Sequence, residues 1–459
     1  MSELQLSQSV LKCRPFVCAL KSTYKSLRCD YCFQNLPIDQ TIRCERCVKM
    51  WYCSDTCCIN DSIGHSFECD VDYDLIQIIT DQFSCLDIRD ESDWCKFRDP
   101  DEWLTHTLLL LRVLFRMKAD PNCTTIDYQL PNGSTVCYDQ INAPLCEHMH
   151  RVYDEEDMSD KDNNLKIELI DEITYNFGAW LQVVKQILDL NCIQTKLGVI
   201  TEEVLMRTFR IIIGYTLYVC DSTFLNDIGK ALYIEMCFIT HSCIPNCCPL
   251  FDGSNCLDLR IISEGVTNFS QLRYDYQIEM TGYPALDLFE SLIMRNIDCK
   301  CIKCCNPQIK ELSINYNKNV LNANLKYGNW PPLDYCQSMY EPIEDALESY
   351  DKLYGKHHPM ITAMLLWKIR IEWFMINCEE DKDITKEDLF STYYKLRKSM
   401  SATHGLDHIW SIKLRSIDKP FQQLMSDPNA INTSSEYYDI IDNTIEQIIP
   451  RAVINSKLS

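Results

Sequence analysis

The chain has 459 residues, with 44 Lys and Arg against 66 Asp and Glu, giving a formal net charge of −22. That length suits roughly two to four domains of about 100–200 residues each, and a hydrophobic fraction of 46% excludes global disorder. The acidic excess argues against direct binding to nucleic acid or to an anionic membrane surface.

In chain order, the first 20 residues carry Lys12 and Arg14 inside their most apolar part, which breaks a signal-peptide core. A cytoplasmic or nuclear protein is expected. Residues 29–69 form a cysteine-rich block. Val71 to about Ala119 reads as helical, with Trp103, Leu108, Leu111 and Phe115 on one face. Asp154 to Asn164 holds six acids and a single Lys161, and reads as a solvated loop. Helical patterns follow over about Lys166–Leu190 and Glu202–Val219. The longest apolar-rich stretch, Ile211 to Cys220, lies between Arg210 and Asp221 and is too short to span a membrane. From Ile228 to Tyr276, short apolar runs alternate with Pro245, Pro249, Gly253 and Gly265, the pattern of strands and turns. After Pro307 the chain reads as helical. Ile343, Leu347, Tyr350 and Tyr354 make one stripe. Gly355 and Pro359 supply a stop and a restart, Met360–Phe374 a second helix, and Leu389–Met400 and Trp410–Leu414 further ones. Packed helical hairpins of tetratricopeptide type are expected there, without a strict repeat.

Cysteine is abundant at 28 residues, and glycine scarce at 12, the first being Gly64. No GxGxxG occurs, so nucleotide binding through such a loop is disfavoured. In a long chain without a secretory signal, paired cysteines point to metal rather than disulfides. Cys29-x2-Cys32, Cys44-x2-Cys47, Cys53-x3-Cys57 and His65-x3-Cys69 supply seven thiols and one imidazole, enough for two tetrahedral zinc sites. Cys58 is a neighbour of Cys57, but the x3 and x7 spacings favour Cys57. A 41-residue block buries little apolar area, so metal should supply most of its folding free energy. Further on, Cys299-x-Cys301-x2-Cys304 offers three thiols that need a fourth ligand from elsewhere, for which Cys243 is the candidate; Cys305 competes with Cys304.

The spacing of the first block resembles the MYND zinc finger at all eight ligands. The resemblance implies an interleaved pairing, with Cys29, Cys32, Cys53 and Cys57 on one zinc and Cys44, Cys47, His65 and Cys69 on the other. It also implies binding of proteins or short proline-containing peptides. Lys25 to Cys69 holds five basic and six acidic residues, which suits peptides better than phosphates. The segment Thr240-His241-Ser242-Cys243-Ile244-Pro245-Asn246 resembles the NHSCxPN signature of SET-domain lysine methyltransferases, and Cys299–Cys304 their post-SET motif. Together these features resemble the SET and MYND domain family of protein-lysine methyltransferases, of which this chain looks like a divergent member.

The resemblance implies an α+β multidomain fold, in which a MYND finger is inserted in a SET β-fold with a helical insert and a C-terminal tetratricopeptide-like helical domain. On that reading residues 1–28 are a remnant SET strand, 29–69 the finger, 70–227 a mostly helical insert with the acidic loop 154–164, 228–285 the SET core, 286–306 the post-SET zinc motif and 307–459 the helical domain. A third zinc would join Cys243 to Cys299, Cys301 and Cys304.

Lysine methylation needs a cofactor held beside a narrow channel and a tyrosine to orient the reacting atoms. His241, whose family equivalent lies at the cofactor pocket, is kept, with Pro245 and Asn246. Tyr276 lies 23 residues before Cys299, where the family's catalytic tyrosine stands. Tyr274 is the alternative, and a purely structural strand tyrosine is the competing reading. Several family features are absent. No glycine precedes Gly64, so the GxG element of the cofactor site is missing. Thr240 replaces the Asn that bonds the cofactor, and Ile213 a second Asn. No acidic GEE turn occurs between Ser263 and Leu272. Arg295 stands where a tyrosine walls the lysine channel, and its fixed charge would repel a cationic substrate. A longer chain would restore the glycines but not Thr240, Ile213 or Arg295. The pattern points to a protein-interaction scaffold on a methyltransferase fold, with binding of S-adenosyl-L-methionine in doubt. The alternative is an active S-adenosylmethionine-dependent methyltransferase acting on histone or other lysines, with His241, Thr240 and Tyr276 at its site.

Overall fold

The computed structural model describes residues 4–37, 41–69, 75–84, 100–142, 178–220, 227–276, 340, 343–345, 347–348, 351, 356–377, 384–426, 440–441 and 443–444. The acidic segment 154–164, Tyr350, Tyr354, Arg295, Cys299, Cys301, Cys304 and Cys305 lie outside them.

Strands β1 (Ser9–Cys13) and β2 (Val17–Leu20) open the chain. The cysteine block contributes β3 (Ile42–Arg43), β4 (Trp51–Tyr52) and α1 (Asp55–Cys69). Helices α2 (Leu75–Ser84) and α3 (Pro100–Ala119) follow, then the short hairpin β5 (Tyr128–Gln129) and β6 (Thr135–Val136). Helical residues 178–188 (α4), α5 (Asn191–Leu197) and α6 (Glu202–Tyr215) lead to β7 (Leu217–Cys220) and β8 (Asp227–Leu232). Next come β9 (Thr240–His241), β10 (Cys247–Phe251), β11 (Leu257–Ile261) and β12 (Arg273–Tyr274).

The strands form small sheets that bring distant segments together. β2, β8 and β7 lie in that order, all antiparallel, with Val17 opposite Leu232. β1, β11 and β10 form a second antiparallel sheet, with Cys13 opposite Leu257. The opening segment therefore supplies two strands, each paired more than 200 residues away in sequence. β9 and β12 pair in parallel, with Thr240 opposite Arg273 and His241 opposite Tyr274.

The sequence reading of one helix over Glu202–Val219 is corrected by the structure. α6 starts at the cap Thr201, whose side chain accepts from the Val204 amide, and stops at Tyr215; Leu217–Cys220 are strand β7. Aromatic and β-branched residues such as Tyr218 and Val219 suit a pleated surface, and here the partner strand β8 decides the matter. α3 also departs from the expected one-sided face. Leu109, Leu110, Val113 and Leu114 are buried along with Trp103, Leu108, Leu111 and Phe115, because β2, α1, α2 and α6 pack around it.

In the C-terminal part, α7 (Pro359–Asn377), α8 (Lys386–Thr403), α9 (Ile409–Ser416) and α10 (Asp418–Ser426) pack around Leu365, Tyr393, Leu396 and Phe421. Pro359 opens α7, where its missing N–H costs nothing. Thr385 and Asp388 form a reciprocal cap on α8. Arg260 of β11 forks onto Asp407 between α8 and α9, at 2.8 and 3.0 Å. Gly405, at φ of 83°, faces that guanidinium, so a side chain there would be strained and would push the Arg260 fork aside.

Candidate functional site

Eight ligand atoms of the cysteine block converge into two sets. Cys29, Cys32, Cys53 and Cys57 form one; Cys44, Cys47, His65 and Cys69 form the other, each with its atoms within 4.8 Å. Cys58 belongs to neither. The interleaving follows from local structure: β4 delivers Cys53 beside the Cys29–Cys32 turn, and α1 delivers Cys57 at its first turn and His65 and Cys69 at its end. Among the described residues these are the groups with metal-ligand geometry.

The donor sets fit zinc. Tetrahedral zinc with bonds of about 2.3 Å to sulfur sets the sulfurs about 3.8 Å apart. Cys32 and Cys53 are 3.5 Å apart, Cys53 and Cys57 3.6 Å, and Cys44 and Cys69 3.6 Å. His65 Nε2 lies 3.4 Å from Cys47 Sγ. Four thiols at this spacing conflict without a cation. The hydrogen bond from Cys32 draws Cys29 down, and the same contact pushes Cys32 up. A divalent ion relieves this by taking all the thiolates.

The finger is fastened to the rest of the protein. Phe33, wholly buried and with φ of 66°, inserts into the apolar cluster of the sheets. Any side chain at Gly229 would lie 2.7 Å from the Phe33 ring and 2.5 Å from the Ala19 carbonyl. Asn255 donates its backbone N–H to Cys32 O at 2.8 Å and its side-chain amide to Tyr31 O at 2.6 Å. Arg112 of α3 forks onto Glu68 of α1 and also donates to Cys18 O. Burial alone would raise the Glu68 carboxyl; the Arg112 charge and hydrogen bonds outweigh it and hold the group below its ordinary range. Phe67 stacks on Phe115 at 5.1 Å. Sequence reasoning missed Asn255, Arg112, Phe33 and Gly229, which carry no local pattern.

The two aromatic residues beside Cys53 divide. Tyr52 is wholly buried and donates its hydroxyl to Asp61 at 2.8 Å. Trp51 is half-buried, and the Arg43 guanidinium lies 4.6 Å from its ring centroid.

Around the signature segment, Cys243 is fully buried, 3.0 Å from His241 Nε2. His241 Nδ1 accepts from the Tyr276 backbone N–H at 3.3 Å. The buried Asp275 carboxylate stands 3.8 Å from the same nitrogen. Tyr276 is buried two residues past β12; its hydroxyl donates to Ile239 O at 2.7 Å. Its ring packs on His241 at 5.1 Å and on Tyr274 at 4.6 Å. Thr240 is exposed, and Ile213 is buried in the helical core. Asn246 clamps the turn: its side chain donates to Gln271 O at 2.7 Å and accepts from the Arg273 amide at 2.7 Å. The structure thus brings His241, Cys243 and Tyr276 together; Cys299, Cys301 and Cys304 lie outside the described residues.

No helix among the described residues is long and apolar enough to cross a membrane. Residues 29–69 match the family model of the MYND finger. A SET and MYND domain-containing protein of Dictyostelium discoideum is 24% identical over 269 residues, covering 55% of this chain and 65% of the relative. A histone-lysine N-methyltransferase of Arabidopsis thaliana is 24% identical over 298 residues, covering 65% of this chain and 50% of the relative. The chain thus spans less than two thirds of the length of these relatives.

Proposed function

We propose that this chain, which carries a MYND finger and is similar to SET and MYND domain proteins, is a zinc-fixed protein-interaction scaffold on a methyltransferase-like fold. The observation that carries this reading is a contrast: both zinc sets are intact, while the candidate reaction groups are bonded into the frame. The Tyr276 hydroxyl is committed to Ile239 O, and His241 is held between the Tyr276 amide and Cys243. Thr240 and Ile213 supply no amide for a cofactor.

On this reading residues 70–227 are a helical insert in a SET fold, 228–285 its core, and 307–459 a tetratricopeptide-like domain. Cys243 would share a third zinc with Cys299, Cys301 and Cys304. Elemental analysis of protein purified without chelator should give three zincs per chain. Two zincs with a fully loaded finger would refute the third site.

The finger's docking surface centres on Trp51. The finger is rigid and already fastened by Phe33 and Asn255, so an extended proline-containing segment binds with little ordering cost on this side. The net charge of −22 favours partners with Lys or Arg flanking that segment, and salt should weaken the binding. A pull-down with wild type and Trp51→Ala, zinc content checked, tests it; equal recovery of the same partners by both rules the finger out.

The second reading is an active lysine methyltransferase. It is favoured by the likeness to the Arabidopsis histone-lysine N-methyltransferase and by the His241–Tyr276 contact. Micromolar binding of S-adenosyl-L-methionine would restore it, and Tyr276 would then be the first residue to replace.

A further inference from the structure

Two elements flank α7, and both run antiparallel to it. The described residues of 340–351 are helical. Tyr340 donates to Glu372 and Lys368 pairs with Glu344, so numbers fall along α7 as they rise along this segment. On the other side, Thr392 of α8 meets Glu372, and Ser399 meets Thr362 at 2.7 Å.

At Glu372 the two flanking elements converge. The Tyr340 and Thr392 hydroxyls donate to the same carboxylate oxygen, Oε1, at 2.9 and 3.0 Å. Toward the start of α7 they part, and a groove of about 640 Å³ opens over Ile361 and Leu365, with Leu347 beside them. Nothing in the zinc or methyl chemistry above uses this groove.

Its rims carry opposite charge. Segment 340–351 contributes Glu344, Asp345, Glu348 and Asp351, while α8 contributes Lys395 and Lys398. Lys356, just before α7, adds a third cation. Asp345, Glu348, Asp351, Lys395 and Lys398 are all exposed. Among the described residues, no ion pair joins one rim to the other; Lys368 of α7 takes Glu344 and Glu372 instead. The rims stand too far apart for their own charges to meet.

Shape and charge together select the occupant. The walls are helices, whose backbone N–H and C=O groups are already bonded within them. An extended segment would find no backbone partners there. A helix brings its own hydrogen bonds, and laying one over α7 between two others is ordinary helix packing. Its apolar side would meet Ile361, Leu365 and Leu347. The flank facing segment 340–351 would be basic, and the flank facing α8 acidic. A segment with one sign of charge gains at one rim and is repelled at the other.

We propose that this groove is a docking site for an amphipathic helix of a partner protein, with an aliphatic seam between a basic flank and an acidic one. The site is independent of the finger and of any methyl transfer.

The test titrates the full zinc-loaded chain into fluorescein-labelled helical peptides of about 15 residues and reads anisotropy. All share one leucine seam; the flanks are Lys on one side and Glu on the other, Glu on both sides, or Lys on both sides. At ~0.15 M salt, where charges beyond about 8 Å are screened, the mixed peptide should bind at least about tenfold more tightly than either single-sign peptide. Lys395→Glu with Lys398→Glu makes both rims acidic and should move the preference to the Lys peptide. Asp345→Lys with Asp351→Lys leaves the α8 lysines dominant and should move it to the Glu peptide. All four positions are exposed, so helix content by circular dichroism should be unchanged, and either reversal alone is decisive. The proposal is overturned if the mixed peptide binds no more tightly than a single-sign one, or if the reversals leave the ranking unchanged. It is also overturned if the chain sediments as a dimer that Lys395→Glu with Lys398→Glu breaks, since a second copy then fills the groove.

Discussion

The finger and the C-terminal helices are both small units fastened to the sheets, and they are held together in opposite ways. The helices bury a continuous apolar cluster in which Tyr393 stacks on Phe421 at 4.0 Å and donates its hydroxyl to Leu414 O. The finger's own cluster is little more than Cys29, Cys32, Met50 and Tyr52. It depends on ligand bonds inside and on borrowed packing outside, through Phe33 and Phe67. One unit should fail when its metal leaves, the other when its packing or its junction with the sheet is disturbed.

Cys53→Ser removes one ligand of a structural site, and with it part of a metal-linked folding energy on the order of 10 kcal/mol. Zinc content should fall, and hydrogen exchange should speed over 29–69 while 386–426 stays protected. Cys58→Ser should do neither.

Next comes the fastening of the finger. Arg112→Leu strands the Glu68 carboxylate, whose side chain is 14% exposed, and should cost about 3–5 kcal/mol by denaturant titration. Glu68 is held below its ordinary range, so this support is complete above its unfolded pKa and is lost as pH falls through its lower folded value.

The helical unit has its own weak point. His408 is buried against β10 and β11, where burial first and Arg260 second lower it to about 4 from 6.5. Between those values the unfolded chain binds the proton and the folded one does not, so stability falls as pH drops from about 6.5 to 4. The loss should approach 3 kcal/mol, read as faster hydrogen exchange over 386–426. His408→Gln should reduce that dependence, the rest coming from His404, whose ring lies 4.8 Å away and which burial likewise holds well below its ordinary value. Asp407→Asn weakens the Arg260 fork, but its side chain is 70% exposed, so the cost should stay below about 1 kcal/mol.

Trp51→Ala should be the mildest to the fold and the most selective for binding. The ring is half-buried with Arg43 over it, so stability should change by about 1 kcal/mol or less, while partner recovery drops.

The finger was legible in the sequence because ligand type and spacing state its chemistry outright, and the two sets assemble with Cys57 in place of Cys58. The helices over 359–426 were legible from apolar periodicity, apart from α10, which is short and follows α9 with a single intervening residue. What stayed hidden depends on contacts between distant residues. β7 read as the end of a helix because only β8 makes it a strand. β1 and β2 find their partners across the finger and the helices. Arg112 and Glu68 are 44 positions apart, and nothing local marks either as the other's partner. The signature segment pointed to His241 and Cys243, but the Ile239 carbonyl that takes the Tyr276 hydroxyl appears only in three dimensions.

On the proposed reading the zinc frame is kept while the cofactor site is not. Calorimetric titration of the zinc-loaded chain with S-adenosyl-L-methionine tests it most directly. No saturable heat is expected at micromolar cofactor, because Thr240 and Ile213 supply no amide contacts, each worth roughly 0.5–3 kcal/mol. A micromolar dissociation constant that is lost in Tyr276→Phe or His241→Ala, with zinc content unchanged, would contradict it.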